Sequence, residues 1–137
     1  MTVIGFSFTK MLIEKRNPVK GKININSNVG IKNVEETNIN INTAKKALKA
    51  EFEFSSKYDP KIGEILLEGE VVYLVEKDKA KDILKNWKKN KKLDKDVRTN
   101  ILNNVLAKCN VQALILSRDM NLPSPIPLPK IGEESKK

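Results

Sequence analysis

At 137 residues the chain has the length of one domain and can bury its own core without disulfide or metal staples. It has no histidine and one cysteine, which removes histidine-based triads, Cys–His catalysis, histidine-ligated metals and an internal disulfide. The formal charge of +9 raises nucleic acid as a partner, since lysine–phosphate contacts give affinity without sequence readout.

The start of the chain, residues 1–13, is apolar but interrupted by Lys10, and no small-residue cleavage site follows it. With no apolar run long enough to span a bilayer, the expected location is cytoplasmic. Residues 3–15 mix β-branched and aromatic side chains with a loose alternation that puts Phe6, Phe8 and Leu12 on one face of a first strand. Asn17-Pro18 and Gly21 end it. Residues 22–35 predict a second strand, broken around Ser27-Asn28, and Ile39 and Ile41 extend its pairing or bridge onward. In 47–55 the alternation is clean: Leu48, Ala50, Phe52 and Phe54 oppose Lys49, Glu51, Glu53 and Ser55, a half-buried antiparallel strand. Asp59-Pro60 nucleates a turn, and Ile65, Leu67, Val71, Tyr73 and Val75 line one side of the return strand. Gly69 falls on that same side and predicts a bulge or a close backbone approach.

From Asp78 the period changes. Ala80, Ile83, Leu84 and Trp87 predict a short amphipathic helix, ended by a polar KKNKKLDKD linker. A long helix follows from Val97, with Asp96 as its cap and Val97, Ile101, Leu102, Val105, Leu106, Cys109, Ala113 and Leu116 as its apolar stripe. It ends before Pro123, Pro125, Pro127 and Pro129, which force an extended strap carrying Ile126, Leu128 and Ile131. The apolar excess around 105–116 predicts burial against a sheet and against a partner. The expected architecture is α+β: a four-stranded antiparallel sheet, a short helix, then a long C-terminal helix with a proline-rich strap. Residues 1–131 form one domain and 132–137 a flexible charged tail.

No glycine-rich phosphate loop is present, and nothing asks for a cofactor or a metal; the expectation is a protein that is not an enzyme. Cys109 lies on the apolar stripe, where a buried inert thiol is expected rather than a nucleophile. Glu51 and Glu53, with Glu64, Glu68 and Glu70 opposite, read as an exposed charge-mixed sheet face rather than an acid–base pair. Between Glu76 and Arg98 ten basic residues stand against five acidic ones. Within that run Lys85, Trp87, Lys88, Lys89, Lys91 and Lys92 are the candidate nucleic-acid residues, with Trp87 either stacking on bases or anchoring its helix. Of the 26 basic residues only Arg16, Arg98 and Arg118 are arginine, which weighs against bidentate readout of guanine or phosphate.

In order and spacing the chain resembles the SecB-like family of export chaperones. The resemblance covers most of 3–131 and rests on four stretches. They are the opening FSFTKMLIEKRNP, the hairpin LKAEFEFSSKYDPKIGEILLEGEVVYLVE, the helix VRTNILNNVLAKCNVQALILSRDM and the terminus MNLPSPIPLPKI. It implies a four-stranded sheet backed by a long helix, assembly as a homo-oligomer (dimer or tetramer), and holding of unfolded or extended polypeptides in apolar grooves without ATP. The client-binding candidates are then Phe6, Phe8, Phe52, Phe54, Ile126 and Leu128. The family's bacterial members are acidic and engage a motor ATPase through an acidic sheet face. This chain is basic and carries an additional helix at 78–90, so that partner does not carry over.

Overall fold

The computed structural model describes residues 2–37 and 44–126. Four long strands, β1 (Thr2–Lys15), β2 (Asn24–Thr37), β3 (Lys45–Asp59) and β4 (Gly63–Glu76), precede α1 (Lys77–Asn90) and α2 (Lys95–Asp119). The strands make one antiparallel sheet in the order β1-β4-β3-β2, so β1 and β2 are its edges. The α+β architecture is therefore as expected. Among the described residues no helix is long and apolar enough to cross a membrane.

The central hairpin follows from its alternation. Phe52, Phe54, Ile65, Leu67 and Val71 are at most 2% exposed, while Glu51, Glu53, Glu68 and Glu70 lie on the other side. Asp59-Pro60, a cis peptide, closes the turn, and the Ile62 amide donates to the Tyr58 carbonyl across it (3.0 Å). Gly69 has no room for a side chain. A Cβ there would stand 2.3 Å from the Ser7 carbonyl oxygen and 2.7 Å from Cζ of Phe52, so β1 and the Phe52 ring pass directly over it.

Two register shifts in β1, between Val3 and Gly5 and between Phe8 and Lys10, correct the expected face. Phe6 and Phe8 pair with Val71 and Gly69, but beyond the second shift it is Met11 and Ile13, opposite Leu67 and Ile65, that share their side. Leu12 pairs with Leu66 on the opposite face. In β2 pairing is continuous through Ser27-Asn28, and the irregularity falls at Lys32, between Ile31 and Asn33. Ile39 and Ile41 lie outside the described residues.

Both helices cover the same face of the sheet. α1 buries Ala80, Ile83 and Trp87, and α2 buries Val97, Ile101, Val105, Cys109, Ala113 and Ser117. α2 starts two residues earlier than expected, with Asp94 rather than Asp96 at its N-cap, and no side chain caps it. After α2 the chain turns at Asn121 (φ 53°) and returns to the domain: Leu122 and Pro125 are buried, and the Tyr58 hydroxyl donates to the Pro123 carbonyl (2.6 Å). The strap thus docks on its own sheet as far as Ile126; Leu128, Ile131 and the expected tail at 132–137 lie outside the described residues.

Candidate functional site

Edge strand β1 presents a strip of incompletely covered apolar side chains. Its pairing with Tyr73, Val71, Gly69, Leu67 and Ile65 puts Val3, Phe6, Phe8, Met11 and Ile13 on the helix-bearing side of the sheet. The helices do not reach fully across: Val3 is 41% and Met11 47% exposed, and Phe6, Phe8 and Ile13 are partly buried. Phe6 stacks on Phe52 at 5.2 Å between ring centroids and meets Phe8 edge-on at 5.1 Å. The Lys108 ammonium of α2 stands 6.0 Å above the Phe6 ring, bridging strip and helix.

Of the candidate client-binding residues, then, Phe6 and Phe8 line the strip. Phe52 and Phe54, 1% and 2% exposed, are core, and their part is to support the strip from below. Ile126 is partly exposed at the strap, where the Ser124 hydroxyl donates to its carbonyl (2.6 Å). Sequence reasoning missed Val3 and Met11, because the register shifts that bring them onto this face leave no mark on the alternation. Val111 and Ile115, not singled out within the apolar excess of 105–116, are 57% and 40% exposed on α2. Ile115 opens onto a groove of about 420 Å³ walled by Leu114, Leu122 and Ser124.

The other sheet face is a charge lattice. Glu51 lies opposite Glu70 and Glu53 opposite Glu68, an unfavourable juxtaposition that Lys49 and Lys32 relieve. Lys49 bridges Glu35 (2.9 Å) and Glu70 (3.7 Å), and Lys32 bridges Glu68 (3.4 Å) and Glu53 (3.9 Å). The hydrogen bond to Glu35 is the main reason the Lys49 ammonium is held above its ordinary pKa. Cys109 is fully buried, and loss of hydration pushes its thiol up to about 12, far from a reactive thiolate.

The lysine run divides. Trp87 is a core anchor, 6% exposed, with its indole N–H donating to Asn33 Oδ1 (3.2 Å), so it does not present a face for stacking. Lys81, Lys85, Lys88 and Lys89 surround Leu84 on the outer side of α1. Lys91, Lys92, Lys95 and Arg98 gather instead around a separate cleft where α1 gives way to α2. Comparisons with protein-family models, with curated proteins and with solved structures found no match for this chain.

Proposed function

We propose that the protein is a non-enzymatic, SecB-like holdase that binds unfolded or extended polypeptide through apolar surface, in the cytoplasm and as a homo-oligomer. The observation that carries this reading is edge strand β1. Among the described residues it has one side without a strand partner, and it carries the strip of Val3, Phe6, Phe8 and Met11. An extended client can pair its backbone with such an edge while its alternate side chains settle on the strip. Holding an unfolded chain needs no catalytic group; it is mass action on the unfolded state.

The test is aggregation of a reduced, denatured client followed by light scattering. The native protein should suppress it at near-stoichiometric amounts. The double variant Val3→Ser/Met11→Ser, which changes exposed side chains only, should keep its circular dichroism and lose most of the suppression. Failure to bind or protect any client sinks the proposal.

The basic outer face of α1 supports a second reading, association with nucleic acid through Lys85, Lys88 and Lys89, without the stacking contribution of Trp87. Affinity for a duplex or single strand should then fall steeply with salt and be lost in Lys85→Gln/Lys88→Gln/Lys89→Gln.

A further inference from the structure

We infer that the cleft at the α1–α2 junction is a binding site for a small phosphorylated ligand with a planar apolar body, the chemical class of the nucleoside phosphates. The cleft has a volume of about 550 Å³, within the usual range for small-molecule sites. Its walls are Gly30 and Ile31 of edge strand β2, Trp87, Leu93 and the four cations Lys91, Lys92, Lys95 and Arg98.

Four observations point to an anion. Among the described residues no carboxylate lines the cleft, although Asp94 and Asp96 belong to the same loop and helix turn. Among the described residues none of the four cations has an ion-pair partner; this holds for Lys81, Lys85, Lys88 and Lys89 as well, but those four stand on one helix, while these converge from the end of α1 and the start of α2. Four like charges around one cavity repel one another unless a ligand supplies the opposite charge. Lys91 is moreover held at φ 56°, a left-handed helix end that glycine or asparagine ordinarily occupies. That conformation brings its ammonium to 5.6 Å from the centre of the Trp87 ring, at the edge of the cleft. α2 also begins here, and its first-turn amides have no side-chain cap, which adds to the positive potential.

Lysine is a point-charge partner for phosphate, and three lysines with one arginine suit a ligand bearing several negative charges better than a single carboxylate. The apolar part of the lining, Ile31 and Leu93 with the small exposed margin of Trp87, gives such a ligand a place for a flat base. Lys81, Lys85, Lys88 and Lys89 surround a hollow of about 530 Å³ on one helix alone, whereas the cleft takes its walls from β2, α1, α2 and the loop between the helices, an enclosure that fits a compact ligand rather than a long strand.

Titration calorimetry at low salt with adenosine triphosphate, inorganic pyrophosphate and adenosine tests the assignment. Adenosine triphosphate should bind at one site per chain, pyrophosphate at least tenfold more weakly, and adenosine weakest of the three. Lys92→Gln/Lys95→Gln/Arg98→Gln should lose at least tenfold in affinity. Lys81→Gln/Lys85→Gln/Lys89→Gln, with the same change of charge, should bind as the native protein does. No saturable binding, an equal loss in both triple variants, or equal affinity for pyrophosphate and adenosine triphosphate would overturn the assignment. So would displacement of adenosine triphosphate by oligothymidylate at a tenfold lower nucleotide concentration, which would give the site to a strand.

Discussion

Gly69 on β4 and Gly30 on β2 belong to the same sheet, with β3 between them, and make opposite demands. A Cβ at Gly69 would collide with the Ser7 carbonyl and with Cα of Phe8 at 3.0 Å, contacts with backbone that cannot step aside. At Gly30 a Cβ meets nothing within 4 Å. Gly69→Ala should therefore cost about 2 kcal/mol, the scale of an overpacked core, and separate β1 from β4. Gly30→Ala should stay within about 0.5 kcal/mol of the native protein. Urea denaturation of the two variants side by side checks the difference. Buried titrating groups make a second demand at this scale. Burial raises Cys109 from 9.0 and Tyr58 from 10.0, each to about 12. In both cases the folded state holds its proton more tightly than the unfolded one. The stability they supply is complete below about pH 9 and drains away as the pH climbs towards 12. The urea midpoint should fall over that window, and Cys109→Ala should flatten its first part. A native thiol that reacted with a disulfide reagent at pH 8 as fast as the denatured chain would contradict the buried placement.

At the scale of elements, the central hairpin and the two helices were legible because their periods are strong: every second residue in 48–54, every third or fourth in 80–87. The edge strands were legible as strands but not in their facing. A shifted register exchanges the two faces downstream of it, and β1 has two such shifts. In α2 the alternation hid something else. Its buried residues from Val97 to Ser117 recur at every fourth position, so with 3.6 residues per turn the buried line advances roughly 40° at each step and winds around the helix. Leu102, Leu106 and Leu116 of the expected stripe are thereby left half-buried beside it, and Val111 and Ile115 fall outside it. Val105 is 0% exposed, whereas Val111 is 57% and Ile115 40%. Val105→Ala should cost about 2 kcal/mol, through loss of burial and a cavity. Val111→Ser/Ile115→Ser should leave the denaturation midpoint nearly unchanged. If the proposed holding activity draws on this end of the helix, that double variant should also weaken client protection at unaltered fold.

The whole molecule separates its surfaces by chemistry. Among the described residues, carboxylates and lysines alternate on the sheet face away from the helices, cations without an ion pair collect where α1 meets α2, and apolar side chains line the β1 edge. The net charge of +9 therefore does not describe any one of these surfaces. The separation distinguishes the two functional readings in one titration. Phosphate contacts weaken as counterions compete, so nucleic-acid binding through α1 should lose at least tenfold in affinity between about 50 mM and about 500 mM salt. Burial of apolar surface along β1 has no such dependence and is slightly strengthened by excluded salts. Client protection should therefore persist, or improve, across the same range. Protection that vanished at high salt would mean that lysines rather than the strip hold the client. The β1 edge would then lose its role, and Val3→Ser/Met11→Ser would be expected to protect as well as the native chain.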